Sequence, residues 1–287
     1  MKKILMGIGI ILLLGVGFLT VKVVGGVKAL EKRQAQMVKS DEELIGRHFY
    51  MPRDGAEDVD MNLYLLEGEQ PRPLVVNLHG GAFIAGDADT LDTQSDRISR
   101  AWNVNVATIN YKRLQVGYDI PYGTKEIADA VKYFIARAEE YRIDPNKVFL
   151  LGYSAGGFHA IAAALALKRD GIDVAGQIVC YGFVGELDKE YRSLDQEARE
   201  TFAPALFILA DHDPISDGSL VYRQALADNG VKTEMKKFDG AIHGFIEENN
   251  PEYDALQTGS KSPEQEKLAR EAENLIGAWI GENGGKQ

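Results

Sequence analysis

Val148-Phe149-Leu150-Leu151-Gly152-Tyr153-Ser154-Ala155-Gly156-Gly157-Phe158 carries an apolar run into a glycine-flanked serine and on into a helix-forming stretch. Consecutive apolar residues at 148–151 suit a strand covered on both faces. The G-x-S-x-G spacing that follows needs a sharp turn between strand and helix. Glycines at 152 and 156 let neighbouring backbones pass where a Cβ would clash. A serine held there projects its Oγ beyond the sheet edge. The N-terminus of the next helix adds amide donors and partial positive charge for an oxyanion. Ser154 is therefore the candidate nucleophile, and Ala155 a candidate oxyanion donor.

Outward from this turn, short β-rich runs alternate with longer helical patterns. Strands are expected at 59–66, 74–78, 104–109, 148–151, 174–181, 205–210 and 233–238. Helices are expected at 122–142, 155–168, 218–228 and 263–280, where apolar residues recur at helical spacing, as at Ile127, Ala130, Val131, Phe134, Ile135 and Ala138. Alternation of this kind predicts an α/β fold, a mostly parallel twisted sheet with helices on both faces. The first strands, with no helix between them, suit an antiparallel edge. Ligands in such sheets bind beyond the carboxyl ends of the strands.

Two further motifs lie at such ends. The strand at 74–78 runs into His79-Gly80-Gly81-Ala82-Phe83. Glycines let a loop aim successive amides into one cavity, so Gly81 and Ala82 join Ala155 as candidate oxyanion donors. A general base must be one of five histidines. His243, in Gly240-Ala241-Ile242-His243-Gly244-Phe245, follows the last expected strand on a loop that can return over Ser154. His79 belongs to the glycine turn. For the orienting acid, the strand at 205–210 leads into Asp211-His212-Asp213-Pro214-Ile215-Ser216-Asp217. Pro214 biases Asp213 toward extended geometry, which favours it as the third member. Asp211, nearest the strand, and Asp217, placed to cap the next helix, stay open. The chain order is Ser154, Asp213, His243. Phe83, Tyr153, Tyr181, Phe183 and Phe245 flank these motifs as candidate substrate-binding residues, or equally as plain core.

With H-G-G-A-F at 79–83, G-Y-S-A-G-G at 152–157, D-P-x-x-D at 213–217 and H-G-F at 243–245, the chain resembles the hormone-sensitive-lipase-type carboxylesterases of the α/β-hydrolase fold over about residues 74–246. The resemblance implies hydrolysis of short- to medium-chain carboxylic esters through an acyl-enzyme, with no cofactor. Ala82 stands where the family usually has a third glycine, which a backbone donor tolerates. The segment 185–203 is short and polar, implying a small lid and no long-chain lipid substrate. Acetyl- and feruloyl-ester hydrolases of polysaccharides carry similar motifs. A prolyl-oligopeptidase-like peptidase or a non-catalytic membrane-anchored binding protein could be built on the same fold. The chain has no identifiable acidic motif for a peptide amine, and a binding protein would not need all three triad positions filled.

Composition narrows the partners. The net charge is −11, and residues 1–33 carry Lys2, Lys3, Lys22, Lys28, Lys32 and Arg33 against Glu31 alone, so the remainder is more acidic still. Such a surface repels nucleic acid. The single cysteine, Cys180, permits no intramolecular disulfide and reads as a small buried hydrophobe. No metal-binding or P-loop motif occurs, so no metal is expected. Residues 4–21 form an uncharged run of about 27 Å as a helix, enough to approach a membrane span. The sequence thus predicts a membrane anchor over 1–27, a juxtamembrane linker over 28–46 and a catalytic domain over 47–287. A cleaved signal peptide is the alternative. Basic residues on both sides leave orientation open; the expectation taken is an extracellular catalytic domain.

Overall fold

Strand residues that alternate between two apolar layers organise the molecule. In the computed structural model, which describes residues 38–255 and 261–284 of the chain, eight strands form one sheet. They are β1 (Arg47–Met51), β2 (Val59–Tyr64), β3 (Arg72–Leu78), β4 (Asn105–Ile109), β5 (Ile143–Tyr153), β6 (Gly176–Cys180), β7 (Ala205–His212) and β8 (Thr233–Ile242). Their order is β1-β2-β4-β3-β5-β6-β7-β8. β2 pairs antiparallel with β1 and β4, and every other pairing is parallel.

Eight α-helices accompany them among the described residues: α1 (Asp92–Trp102), α2 (Ile120–Ala136), α3 (Ala138–Tyr141), α4 (Ala155–Arg169), α5 (Leu187–Arg192), α6 (Gln196–Glu200), α7 (Ser219–Ala227) and α8 (Pro263–Asn283). Leu74, Val76, Val148, Leu150, Val179, Phe207 and Leu209 pack against residues of α2, α4 and α7, including Val131, Ile161 and Leu226. Their strand neighbours Val75, Phe149, Leu151, Ile178, Leu206 and Ile208 face the other way, against Ile98 of α1 and Ile276 and Trp279 of α8. Period-two alternation with both sets apolar is what a doubly covered parallel strand requires.

The expected α/β architecture is present, with differences that have physical causes. Helix α1 was not anticipated because its inward face is polar. Asn77 Nδ2 donates to Ser95 Oγ at 3.1 Å, Ser95 Oγ meets Thr108 Oγ1 at 2.8 Å, and Gln94 Nε2 donates to Glu273 Oε1 at 2.9 Å. Hydrogen bonding thus replaces the apolar stripe that periodicity would detect. The helix expected at 122–142 starts earlier, where Asp119 caps the Tyr122 amide, and breaks at Arg137 into α2 and α3. The polar segment at 185–203 contains α5 and α6 and buries Leu187, Tyr191, Leu194 and Phe202. Its polarity is only outward.

The expected membrane segment at 4–21 lies outside the described residues. Among the described residues, no helix is long and apolar enough to cross a membrane. On that finding the expected membrane-anchored, extracellular placement is corrected and withdrawn. Of the stretch read as a linker, residues 38–46 are described, and they are fastened to the body. Lys39 Nζ reaches Asp92 Oδ2 at 2.6 Å and Glu252 Oε1 at 2.9 Å, while the Lys39 amide donates to Asp89 Oδ2 at 2.7 Å. Asp92 also accepts from the Ile45 and Gly46 amides and from Tyr64 Oη. Burial alone would raise the Asp92 pKa, but these donors outweigh it and hold the carboxyl below its ordinary value.

Lys39→Ala should therefore lower stability by about 2–3 kcal/mol near neutral pH, between the exposed and fully buried limits for an ion pair. The Asp92 pKa is depressed in the folded state, so its contribution is present above the unfolded pKa and lost as pH falls through the folded one. The gap between wild type and variant should narrow as pH falls below about 4, because protonation then relieves the stranded Asp92 carboxylate. Urea unfolding at neutral and acidic pH checks this; a gap independent of pH would contradict it.

Candidate active site

Ser154 occupies the single residue between β5 and α4, with φ 53° and ψ −114°. A non-glycine residue there stores about 1–3 kcal/mol of strain and persists only where its surroundings dictate it. Its amide donates to Cys180 O at 3.0 Å, and its carbonyl accepts from Gly157 N at 3.0 Å and Phe183 N at 3.3 Å. The flanking glycines are sterically obligatory. A Cβ on Gly152 would come within 2.1 Å of Gly156 O, and one on Gly156 within 2.2 Å of Leu78 O.

Ser154 Oγ lies 2.8 Å from His243 Nε2, at the end of β8, and His243 Nδ1 lies 2.7 Å from Asp213 Oδ2, just beyond β7. Asp213 is 4% exposed, with Oδ1 accepting from the Ile215 amide at 3.0 Å and Oδ2 from Ser216 Oγ at 2.7 Å. Burial pushes the Asp213 pKa up, but the His243 and Ser216 hydrogen bonds, the His243 charge and the Ile215 amide bring it below the ordinary value. An ionised carboxylate only accepts, so Nδ1 carries a proton, and in the neutral imidazole Nε2 is then left to accept from the serine hydroxyl. Asp211 and Asp217 point elsewhere: both are surface carboxylates near Lys237 Nζ, at 3.6 and 3.5 Å. Asp217 makes no capping bond to α7.

The turn after β3 places Gly81, Ala82 and Phe83 at positive φ, 126°, 52° and 68°. It is closed by the Ile84 and Ala85 amides donating to Gly81 O, and by Leu114 N donating to Phe83 O at 2.7 Å. Within the described residues, no hydrogen bond of the fold uses the amides of Gly81, Ala82 or Ala155. His79 anchors the turn from inside. Its ring stacks on Tyr111 at 4.3 Å, and Tyr111 Oη donates to His79 O at 2.7 Å. Burial pushes the His79 pKa down to about 4 and that of His159 to about 3, so both stay neutral.

The aromatic candidates divide between the layers. Phe83 packs edge-on against Phe158 at 5.3 Å and Phe183 at 6.1 Å, and Phe183 is half-buried. Tyr153 and Phe245 are completely buried in the α1/α8 layer and present no surface to a substrate. Tyr181 lies behind His243, ring to ring at 5.2 Å. Phe158, Ser216 and Glu247 were not anticipated. The D-P-x-S spacing at 213–216 was the available signal for Ser216, and helix position disguised Phe158 as ordinary core. Among the described residues, no group of three His, Cys, Asp or Glu side chains is arranged to hold a metal.

Comparison with solved structures finds the same fold in several esterases. EstE1, a thermophilic and thermostable carboxylesterase cloned from a metagenomic library, superposes with a TM-score of 0.69 at 20% identity over 89% of this chain and 96% of that one. A Pyrobaculum calidifontis esterase gives 0.69 at 24% identity over 92% and 93%. An arylesterase gives 0.69 at 20% over 93% and 96%. At such identities the likeness establishes the fold. The sequence profile of the alpha/beta hydrolase fold matches residues 75–201 and 186–247, and the chain belongs to that family, in its hormone-sensitive-lipase-type branch.

Proposed function

We propose that this protein is a serine carboxylesterase acting on short- to medium-chain esters. Ser154 attacks the ester carbonyl as His243 takes its proton, and Asp213 orients the imidazole and stabilises its charged form. The amides of Gly81, Ala82 and Ala155 donate to the tetrahedral oxyanion. His243 then protonates the leaving alcohol, and water repeats the sequence on the acyl-enzyme. The observation that carries the reading is the unbroken relay of 2.8 and 2.7 Å from Ser154 through His243 to a buried carboxylate held by two further donors.

The acyl-length part of the reading is supported by the wall beside Ser154. Phe83, Phe158 and Phe183 touch one another there, and a Cβ on Gly185 would lie 3.3 Å from Phe183 and 3.7 Å from Phe158, so the chain leading into α5 closes on the same rings. Rings in mutual contact leave little length for an extended acyl chain.

Ser154→Ala should lower kcat/KM on a chromogenic butyrate ester by at least about a thousandfold and abolish labelling by a fluorophosphonate. Turnover that survives in the variant would overturn the assignment. Asp213→Asn should reduce kcat strongly by favouring the wrong imidazole tautomer, whereas Asp217→Asn, on the surface, should change kcat by less than about threefold. The reverse ranking would move the orienting role. In an acyl series, kcat/KM should fall beyond about eight carbons; a continued rise would reveal an apolar tunnel, where each buried CH₂ contributes up to about 0.8 kcal/mol.

A further inference from the structure

Glu247 is a carboxyl group that the proposed reaction does not use, in a place where carboxyl groups are costly. It is 4% exposed, and its Oε2 is wholly buried with no hydrogen-bond partner. Leaving a buried carboxyl oxygen without a partner is unfavourable by about 1–3 kcal/mol even when the group is neutral, and an apolar side chain of similar size would avoid that cost.

Its neighbours are the three segments that form the site. Glu247 opens a 3₁₀ turn (Glu247–Asn249) four residues after His243. The Ile246 and Glu247 amides donate to Tyr181 Oη at 3.3 and 3.4 Å, and the Tyr181 ring is the one that lies against His243. Asn250 Nδ2 donates to Glu247 O at 2.8 Å and fixes the turn. The side chain runs back under the glycine turn. A Cβ built on Gly80 would lie 2.4 Å from Glu247 Oε1, 3.3 Å from its Cδ and 3.4 Å from Tyr153 O, the carbonyl immediately before Ser154.

We propose that Glu247 is a positioning residue: its carboxyl group, wedged against Gly80 beside the end of β5, holds the turn carrying Gly81 and Ala82 in register with Ser154 and with the His243 loop. The inference rests on the reading of Gly81, Ala82 and Ala155 as oxyanion donors. Hydrogen bonds aimed at an oxyanion act only if the donors lie within a few tenths of an ångström of the developing charge. A rigid filler beneath Gly80 supplies that constraint without touching the substrate. Burial first, and the charge of Glu248 second, push the Glu247 carboxyl well above its ordinary pKa against a Tyr181 side-chain hydrogen bond that lowers it, which favours the neutral acid. Glutamine, of the same shape and also neutral, should therefore replace it.

The test uses the full chain as wild type, Glu247→Gln, Glu247→Ala, Gly80→Ala and the Gly80→Ala/Glu247→Ala pair. Readouts are kcat and KM on a chromogenic butyrate ester, the fluorophosphonate labelling rate at Ser154 and the urea midpoint. Glu247→Gln should keep kcat within about threefold, while Glu247→Ala should lower it at least about tenfold with KM little changed, the pattern of a loss confined to the transition state. Gly80→Ala should lower kcat similarly, because its Cβ and the carboxyl claim the same space. The pair should be more active than Gly80→Ala alone, a non-additivity expected only of side chains in contact. A folded Glu247→Ala with wild-type kcat, or simple multiplication of the two losses in the pair, overturns the proposal. If Glu247→Ala fails to fold, an unchanged kcat in Gly80→Ala overturns it equally. Wild type that neither turns over ester nor labels at Ser154 would remove the esterase reading itself, a failure distinct from a wild type that labels alongside an indifferent Glu247→Ala.

Discussion

Close approach of three backbones around Gly152 and Gly156 is the constraint on which the site depends. The end of β5, the first turn of α4 and the end of β3 meet with no room for a side chain. A Cβ on either glycine would penetrate a neighbouring carbonyl by more than an ångström of ordinary contact distance, at 2.1 and 2.2 Å. In that crossing Ser154 is held at positive φ, and Gly156, one residue beyond Ala155, lies against the Leu78 and His79 carbonyls that lead into the turn carrying Gly81 and Ala82. The strain is opposed by hydrogen bonds to Cys180, Gly157 and Phe183, which tie the serine to β6 and to its own helix. Candidate nucleophile and candidate oxyanion donors are thus products of one packing event.

Two buried carboxyl groups near this crossing are treated in opposite ways. Asp213 is given three donors, from Ile215, Ser216 and His243, and stays ionised at a depth where desolvation opposes the charge. Glu247 is given none at Oε2, and burial pushes its carboxyl well above the ordinary pKa. The ionised group faces the histidine and the other faces the glycine turn. A negative charge beside the proposed oxyanion would repel it, so a carboxyl biased toward the neutral form matches that position.

Much of this was legible in the chain. Apolar runs such as 74–78 and 148–151 identify doubly covered strands, and glycine spacing around Ser154 reports directly on the crossing, because glycine is the one residue whose absence of a side chain can be read as a contact. His243 could be found by its place after the last strand. The choice among Asp211, Asp213 and Asp217 depended on burial: all three follow β7 within a few residues, and only Asp213 turns inward. Helix α1 was hidden by its hydrogen-bonded polar face, and the Lys39 fastening by sequence separation, since its partners Asp92 and Glu252 lie far along the chain. Glu247 sits in the polar run Glu247-Glu248-Asn249-Asn250, which reads as a solvated loop, yet Glu248 is half-buried and the other three are buried. Composition cannot distinguish a polar loop in water from one folded under an active site.

The two layers of the fold therefore carry different parts of the proposed chemistry. Tyr153, Tyr181, Ala241, Phe245 and Ile246, which support the His243 loop, belong to the layer under α1 and α8. Phe83 and Phe158, which form the wall beside Ser154, belong to the layer under α2 and α4, with Phe183 packed against it. Ser154 stands at the sheet edge between them. Both layers are closely packed against β5, so a change of volume in either reaches Ser154 through β5. Phe183, half-buried at the margin of the α2/α4 layer, is the ring whose exchange would reshape the proposed acyl wall with least disturbance of the relay from Asp213 to Ser154. The α1/α8 layer has no such freedom, because every large ring in it near the site touches the histidine loop or the residue that holds it.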